Sequence, residues 1–351
     1  MVRHRHAPCP IYIGAGLFAR LEEFAAAHLA GCRLAVIADA QVARVHPPPA
    51  GLADFRFPTG EEHKTRETWT RITDDLLQAG FGRDSGLIAV GGGVAGDLVG
   101  FVAATYLRGV PLIQVPTTLL AMVDASVGGK TGVDTPAGKN LVGAFHPPRA
   151  VVMDPLLLQT LPPVHFRNGL GEAIKHAALD GPEHVEWLGR HAELILGRDP
   201  VAIDELLRRN LAVKAKIVEE DETEQGRRAL LNLGHTVAHA LELLSGYTLL
   251  HGDAVATGLL LEARLGEQLG LTEPGTAQQL AKLIGRFGLP DSGRPGVPVE
   301  RLLSAMKTDK KNRDGRIRLA LLERIGAPRG NDTDGWTTAV SEADLRAGLR
   351  D

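Results

Sequence analysis

The sequence predicts two domains, an α/β N-terminal domain with a Rossmann-like sheet and a mostly α-helical C-terminal domain. Short β-branched apolar runs alternate with helical periods in the first half of the chain, and one of these runs stops at three consecutive glycines. After about Pro155, long helical periods recur instead. Because alternating strands and helices build parallel sheets whereas successive amphipathic helices pack on one another, we place the domains at 1–155 and 156–351.

The first half of the chain supplies the elements of the predicted sheet. Each strand candidate is a compact apolar run, and a stretch with helical spacing precedes most of them. This order indicates a parallel sheet with helices on both faces. The predicted strands are 33–37, 86–90, 111–115 and 150–153, and the predicted helices are 17–29, 64–77 and 98–107.

The second half of the chain is dominated by helical periods, with one late strand candidate over 316–322. A cleft between an α/β domain and a helical domain is a usual place for a ligand. The predicted helices are 169–179, 200–220, 229–244, 253–269 and 276–287.

The composition excludes several classes of function. The 351 residues include 39 basic and 42 acidic ones, and the formal net charge of −3 argues against a nucleic-acid-binding protein. Cys9 and Cys32 lack metal-ligand spacing, so a disulfide framework is excluded and a cytoplasmic location is expected. We also expect neither a signal peptide nor a membrane-spanning helix, because no apolar segment is long enough.

A glycine-rich turn follows the predicted strand 86–90. The motif GGGVAGD (91–97) runs from this strand into a helix, an arrangement in which backbone N–H groups can approach a pyrophosphate. The motif is neither G-x-G-x-x-G in its usual register nor a P-loop, so a simple tight turn is the alternative. Asp39 ends an earlier strand, where a carboxylate either binds a ribose hydroxyl or caps a helix.

Histidines and a glutamate on separate predicted helices are candidate metal ligands. Two imidazoles and one carboxylate from three helices would suit a catalytic zinc with an open coordination position. Spacing alone does not choose among the candidates, and core or capping histidines are the alternative. The candidates are Glu172, His176, His235, His239 and His251.

Several cations lie in glycine-rich or apolar surroundings, such as Lys130 in DASVGGKTG (124–132). Gathered in a cleft, these side chains would bind a phosphate and a carboxylate. The alternative for each of them is a solvated surface position. The other cations are Arg108, Lys139, Lys214, Arg228, Lys310 and Lys311.

Taken together, these motifs resemble the 3-dehydroquinate synthases, within the sugar-phosphate cyclase superfamily. The resemblance covers most of residues 60 to 322 and is far more specific than any single glycine motif. It rests on GEEHK (60–64), GGGVAGDLVGFVAATYLRG (91–109), QVPTTLLAMVDASVGGKTGVDTPAGKNLVGAFHPP (114–148), TLPP (160–163), GLGEAIKHA (169–177), RRALLNLGHTVAHALE (227–242), HGDAVATG (251–258) and DKKNRDGRIRLALL (309–322).

The resemblance implies a dehydroquinate synthase-like fold, NAD, and a divalent metal, usually Zn²⁺ with Co²⁺ as a substitute. The implied metal ligands are Glu172, His235 and His251, and Asp253 stands where the family commonly has Glu. The residues implied to contact NAD are Asp39, Glu61, Lys64, Gly92, Gly93, Val94, Asp97, Thr117, Thr118, Leu120, Asp124, Lys139 and Thr160.

The resemblance also implies the substrate and its site. The expected reaction converts 3-deoxy-D-arabino-heptulosonate 7-phosphate to 3-dehydroquinate and phosphate, in the shikimate pathway of aromatic amino acid biosynthesis. It combines transient oxidation by NAD, phosphate elimination, re-reduction and intramolecular aldol closure. The residues implied to meet substrate are Arg108, Lys130, Asn140, Lys175, Lys214, Arg228, Asn232, His239 and either Lys310 or Lys311.

Two other functions stay open as alternatives. Another sugar-phosphate cyclase, such as an amino-dehydroquinate or C7-cyclitol synthase, would share most of the motifs. A metal-dependent polyol dehydrogenase would share the two-domain layout but would release NADH. For the 3-dehydroquinate synthases the family further implies a homodimer, a small-molecule sugar phosphate as partner, and no nucleic acid or membrane.

Overall fold

The structure is a computed structural model that describes residues 2–3, 8–292, 296–307 and 316–349. Contacts between Cα atoms divide the chain into two compact units, Met1–Phe166 and Arg167–Asp351. The first contains the predicted sheet and the second most of the predicted helices, and each is described by itself. The domain boundary after residue 155 stays a prediction.

The first unit is built on a six-stranded, wholly parallel sheet with the strand order β3-β10-β7-β6-β4-β5. In chain order its strands are β1 (Val2–Arg3), β2 (Pro8–Cys9), β3 (Ile11–Ile13), β4 (Arg33–Asp39), β5 (Ala53–Phe57), β6 (Ser85–Gly91), β7 (Leu112–Pro116), β8 (Lys130–Thr135), β9 (Gly138–Phe145) and β10 (Ala150–Met153). Its helices are α1 (Leu21–His28), α2 (Ala40–Val45), α3 (Arg66–Gln78) and α4 (Gly93–Thr105).

The predicted α/β fold is confirmed, and the four predicted strands are the four central ones. Every residue of β6, β7 and β10 is buried, because strands covered on both faces need apolar side chains on both. The edge strands β3 and β5 were not predicted. In β5 partly buried and exposed positions alternate and only Phe57 is buried, so the strand lacks a continuous apolar run.

Helix α4 begins earlier than predicted, at Gly93 rather than at residue 98. The glycine-rich motif itself forms the first turn of the helix. Its apolar side chains, among them Leu98 and Val102, are buried in the core of the first unit. On the side of Gly100 the helix meets the antiparallel hairpin β8–β9, where a Cβ on Gly100 would lie 2.4 Å from Thr131 Cγ2. The sequence analysis does not predict this hairpin.

The second unit consists mainly of helices, as predicted. Its helices are α5 (Pro163–Asp180, which begins at the end of the first unit), α6 (Pro182–Leu196), α7 (Pro200–Glu220), α8 (His235–Leu244), α9 (His251–Gln268), α10 (Thr276–Arg286), α11 (Val299–Lys307) and α12 (Glu342–Gly348). Its strands are β11 (Ile317–Leu319), β12 (Leu322–Arg324), β13 (Ala327–Pro328) and β14 (Thr338–Val340). None of these helices, nor any other in the described parts of the chain, is long and apolar enough to cross a membrane.

Two predictions for the second unit were wrong in detail. The strand predicted over 316–322 is two short strands, and β11 pairs with β14 whereas β12 pairs with β13. The helix predicted over 229–244 begins only at His235, because Gly234 is left-handed with φ 78° and a separate 3₁₀ helix covers Arg227–Asn232. Apolar residues continue through this break, so periodicity alone did not reveal it.

We expect Leu87→Ala to lower the free energy of unfolding by about 2–5 kcal/mol. Leu87 lies in β6 and is 0% exposed within the core of the first unit, so truncation leaves a cavity. Urea unfolding followed by circular dichroism measures the loss. Leu77→Ala, at a 54% exposed position on α3, is the control and should cost less than about 0.5 kcal/mol. Equal losses for the two variants would contradict the assigned core.

Candidate active site

The glycine-rich turn between β6 and α4 packs closely against neighbouring side chains. A Cβ on Gly91 would lie 2.5 Å from Ala95 Cβ, and one on Gly92 would lie 3.0 Å from Thr118 Cγ2. Gly92 is the N-cap residue of α4 and offers no capping side chain. The first N–H groups of this helix are therefore free of a side-chain cap and suit an anion such as a pyrophosphate.

Asp39 acts as a helix cap in this structure. Its Oδ1 accepts hydrogen bonds from Gln41 N at 2.8 Å and Val42 N at 3.1 Å, at the start of α2, and from Thr59 Oγ1 at 2.7 Å. The capping alternative is thus observed. A ribose contact for the same carboxylate stays a prediction.

The C-terminal ends of the parallel strands bring further predicted NAD contacts to the same edge of the sheet. Thr117 and Thr118 follow β7 directly, next to the turn after β6. In open α/β sheets, ligands bind in the crevice at this edge. The buried Thr117 Oγ1 has no hydrogen-bond partner among the described residues, whereas Thr118 Oγ1 accepts from Ala121 N at 3.2 Å. The Thr117 hydroxyl is therefore available to a ligand.

The other predicted NAD contacts near this edge lie on the elements that follow the strands. Leu120 precedes a π-helical turn, Ala121–Ala125, that contains Asp124. Val94 is in the first turn of α4. Thr160 ends the 3₁₀ helix after β10, and its Oγ1 lies 2.7 Å from His46 Nε2.

Four further predicted NAD residues form a network of charges. Lys64, 3% exposed, places Nζ 2.6 Å from Asp97 Oδ2 and 4.0 Å from Glu61 Oε1. Lys139 Nζ lies 3.3 Å from the same Glu61 oxygen. Burial alone would lower the pKa of Lys64, but Asp97, Glu61 and Asp134 raise it above its ordinary value. The buried ammonium group therefore stays charged.

Three predicted substrate contacts in the first unit are exposed. Arg108 and Asn140 have left-handed backbones, with φ 71° and φ 54°, and Lys130 is the first residue of β8. The N–H of Asn140 donates to Asp134 Oδ1 at 2.9 Å, a bond within the hairpin β8–β9. What these three side chains bind stays a prediction.

Glu172, His235 and His251 converge within the second unit. His235 Nε2 lies 3.1 Å from Glu172 Oε1, and His251 Nε2 lies 3.0 Å from the same oxygen. One ligand atom from each residue lies within 4.8 Å of the other two. The three residues come from α5, α8 and α9, and Glu172 is 0% exposed.

The hydrogen bonding of the two imidazoles fits a divalent metal. His235 Nδ1 lies 3.1 Å from Leu233 O while its Nε2 faces Glu172, so both ring nitrogens face oxygen acceptors. A neutral imidazole has only one N–H and cannot donate to both. A cation between Nε2 and the carboxylate would remove this conflict, because Nδ1 then keeps the proton. Two imidazoles and one carboxylate are also a usual ligand set for catalytic zinc.

The pKa shifts express the same conflict. Burial alone would raise the pKa of Glu172, but Lys175 and the two histidines hold it well below its ordinary value. Burial lowers the pKa of His235 to about 3 in spite of Glu172. For His251 burial also acts downward, but hydrogen bonds with Glu172 and Glu242 raise its pKa to about 10. His235 is therefore neutral, and its single N–H can serve only one of the two oxygen acceptors that face the ring.

Helix α5 is fixed to α9 by backbone contact. A Cβ on Gly171 would lie 2.4 Å from Gly252 O, and Gly252 N donates to Asn168 Oδ1 at 2.5 Å. Gly171 directly precedes Glu172 in the sequence, and Gly252 directly follows His251. The separation of these two side chains is thus set by main-chain packing rather than by flexible side chains.

Lys175 stands next to the carboxylate. It is 1% exposed, forms an ion pair with Glu172 Oε2, and donates to Leu231 O at 2.8 Å. His239 lies one turn after His235, with the ring centroids 5.4 Å apart. The structure therefore gathers a buried cation and a third imidazole around the convergent group.

The remaining candidates in the second unit lie on neighbouring elements. Arg228, 2% exposed, donates to Glu222 O, and Asn232 Nδ2 donates to Glu224 Oε1 at 2.7 Å. Lys214 on α7 is 5% exposed. His176 Nδ1 lies 3.2 Å from Asn210 Oδ1, inside the helical core. Lys310 and Lys311 lie outside the described residues.

Asp221, which the sequence analysis missed, organises the turn that carries Arg228. Its Oδ1 accepts from Gln225 N at 3.0 Å, and its Oδ2 accepts from Gly226 N at 2.7 Å and Arg228 N at 3.0 Å. Burial acts to raise the pKa of Asp221, but the backbone N–H groups lower it below its ordinary value. An aspartate just after a long helix was the available signal.

Glu242 and Glu262 were also missed. Glu242 Oε2 lies 3.3 Å from His251 Nδ1, and Glu262 Oε2 accepts from Gly234 N at 2.8 Å. Glu242 follows His235 by two helical turns, which places both on one helix face and could have indicated it. No sequence signal connects Glu262 with α8.

Comparison with known proteins shows which families and proteins this chain resembles. Two family models match, 3-dehydroquinate synthase N-terminal over residues 54–168 and 3-dehydroquinate synthase C-terminal over 169–312. The 3-dehydroquinate synthase of Rhodospirillum rubrum is 46% identical over 333 residues, which cover 90% of this chain and 86% of that protein.

Solved structures of other cyclases share the fold. A 2-deoxy-scyllo-inosose synthase complexed with carbaglucose-6-phosphate, NAD⁺ and Co²⁺ matches with a TM-score of 0.87 at 24% identity, covering 97% of this chain and 96% of that one. ValA, a 2-epi-5-epi-valiolone synthase from Streptomyces hygroscopicus with NAD⁺ and Zn²⁺ bound, matches with a TM-score of 0.86 at 26% identity, covering 99% and 98%.

We expect Asp221→Asn to lower the free energy of unfolding by roughly 1 kcal/mol near neutral pH, because an amide cannot accept from all three N–H groups. The folded pKa of Asp221 is depressed, so its contribution is present above the unfolded value and is lost as the pH falls through the folded one. The difference between wild type and variant should therefore shrink below about pH 4. Urea unfolding at several pH values tests this, and a pH-independent difference would contradict it.

Proposed function

Because the chain belongs to the 3-dehydroquinate synthase family, we propose that it converts 3-deoxy-D-arabino-heptulosonate 7-phosphate to 3-dehydroquinate and phosphate. The observation that carries this function is the convergence of Glu172, His235 and His251 beside the buried Lys175. The 46% identity with a 3-dehydroquinate synthase supports this substrate over those of the cyclases that match at 24% and 26%.

The proposed cofactors are NAD and a divalent metal, Zn²⁺ or its substitute Co²⁺. Nε2 of His235, Nε2 of His251 and a carboxylate oxygen of Glu172 would hold the metal, and the turn Gly91 to Gly93 would take the pyrophosphate of NAD. When bound, the two groups supply Lewis acidity at the substrate hydroxyls and a hydride acceptor that is restored within each turnover.

Lys175 has the clearest role among the chain's own residues. Its ammonium group is buried, donates to Leu231 O and forms an ion pair with Glu172. A bound metal would neutralise much of the charge of that carboxylate. With the metal bound, the ammonium group would donate to an anionic group of the substrate. Charge-assisted contacts of this kind are strong because water is excluded.

The other cations and polar groups are proposed to hold the two anionic ends of the substrate. Arg228, Asn232 and His239 lie on the 3₁₀ helix Arg227–Asn232 and on α8, so their positions follow those of the metal ligands. A planar guanidinium suits the bidentate binding of a carboxylate. Lys214 from α7 adds a further positive charge. Arg108, Lys130 and Asn140 of the first unit are likewise proposed to contact substrate.

We further propose a cytoplasmic homodimer. The family implies both properties, and within the homodimer Arg108 would reach the site of the partner subunit. Its side chain is exposed, as a contact with another subunit requires.

Turnover with separate detection of phosphate and NADH tests the proposed function. The protein is incubated with NAD and 3-deoxy-D-arabino-heptulosonate 7-phosphate, and inorganic phosphate and NADH absorbance are recorded together. We expect phosphate release in step with 3-dehydroquinate and no accumulation of NADH, because the hydride returns to the substrate. EDTA should abolish the release, and Zn²⁺ or Co²⁺ should restore it.

The alternatives give different results in the same assay. Phosphate release from sedoheptulose 7-phosphate, glucose 6-phosphate or an amino analogue, but not from the expected substrate, would indicate another cyclase. NADH that accumulates with a polyol, without phosphate, would indicate a metal-dependent polyol dehydrogenase. Full activity after metal removal would contradict the metal centre.

We expect Lys175→Ala and His251→Ala each to lower turnover by more than about 100-fold, because each removes a preorganised charge or ligand from the site. Lys216→Ala is the control, since Lys216 is an exposed lysine of α7 to which no role in the site is assigned. Phosphate release measures the effect, and circular dichroism shows whether the fold is retained. A folded variant at either site with near-wild-type turnover would disprove the assignment.

A further inference from the structure

Helices α8 and α9 carry the two imidazole ligands at their first residues, His235 and His251. The two helices meet in backbone contact. A Cβ on Gly258 would lie 2.0 Å from Gly234 O, and one on Gly234 would lie 2.9 Å from Leu259 N. This contact sets the distance between the helices but leaves rotation of each imidazole undetermined.

A buried carboxylate of α9 holds the start of α8. Glu262 is 1% exposed, its Oε2 accepts from Gly234 N at 2.8 Å, and its Oε1 accepts from Val237 N at 3.3 Å. Gly234 is the N-cap residue and has no side chain to accept from Val237 N. Glu262 therefore replaces the missing cap, and its negative charge suits the positive end of the helix. His235 lies between the two bonded residues.

A second carboxylate makes the reverse contact, because it belongs to α8 and contacts a residue of α9. Glu242 is 5% exposed, and its Oε2 lies 3.3 Å from His251 Nδ1. A bond at this nitrogen keeps Nε2 directed at Glu172 and selects the tautomer that a metal requires. Each helix thus contributes a glutamate that fixes the ligand region of the other.

We propose that Glu242 and Glu262 are positioning residues of the metal site, forming a reciprocal carboxylate brace between α8 and α9. The brace rests on the metal centre of the proposed function. Glu242 orients the ring of His251, and Glu262 holds the backbone on both sides of His235. Removal of either carboxylate leaves the three ligand residues unchanged but allows an imidazole to turn or shift away from the metal.

Binding of Co²⁺ to the full-length, metal-stripped protein tests the brace. Affinity is measured by competition with a chromophoric chelator, and the visible spectrum of the bound ion reports the coordination geometry. We expect Glu242→Ala and Glu262→Gln to weaken binding roughly 10- to 100-fold and to alter the spectrum. Glu242→Gln should recover much of the affinity, because its amide oxygen can still accept from His251 Nδ1.

Glu267→Gln is the matched control. Glu267 also lies on α9, and its Oε1 accepts from Ala277 N at 2.8 Å at the start of α10, which carries no proposed ligand. We expect this variant to lower the melting temperature of the metal-free protein without changing the Co²⁺ affinity. A comparable loss of affinity in Glu267→Gln would show that general stability, rather than positioning, is measured.

The possible outcomes separate the brace from the proposed function. If the wild type binds Co²⁺ and the Glu242→Ala and Glu262→Gln variants bind within twofold of it, the brace is disproved and the metal centre stands. If the wild type itself does not bind Co²⁺, the metal centre is disproved and the brace with it. If Glu262→Gln does not fold, the comparison of Glu242→Ala with Glu242→Gln decides.

Discussion

A single carboxylate oxygen, Glu172 Oε1, is shared by two imidazoles in the interior of the helical unit. Burying a carboxylate is costly unless charges and donors compensate it, and here Lys175 and the histidines do so. The requirement places strict limits on α5, α8 and α9, because each must bring its side chain to one point.

Glycines allow α5, α8 and α9 to bring these side chains together, because main chains without a Cβ can touch. Gly171 with Gly252, and Gly234 with Gly258, leave no room for a Cβ where the three helices meet. In the first unit, Gly91 and Gly92 leave little room for a Cβ beside the side chains of Ala95 and Thr118, where strand and helix join. In both units, glycines allow a close packing that a larger residue would prevent.

Local sequence patterns predicted the strands that are buried on both faces and missed those that are partly exposed. The central strands were found because they are apolar on both faces, and the fold class and the family resemblance are confirmed. Strand β5 and the hairpin β8–β9 were missed, since short or half-exposed strands lack a continuous apolar run. The break before His235 was missed because its cause, the left-handed Gly234, leaves hydrophobic periodicity unchanged.

The sequence by itself determined the α/β-plus-helical architecture, the family and the short list of metal candidates, because each depends on residue types and local spacing. Only the tertiary structure brought Glu172, His235 and His251 to one point, and placed Glu242 against the His251 ring and Glu262 against the backbone around His235. The physical reason is that these contacts join separate helices. Their geometry depends on how backbones cross, which local periodicity does not encode.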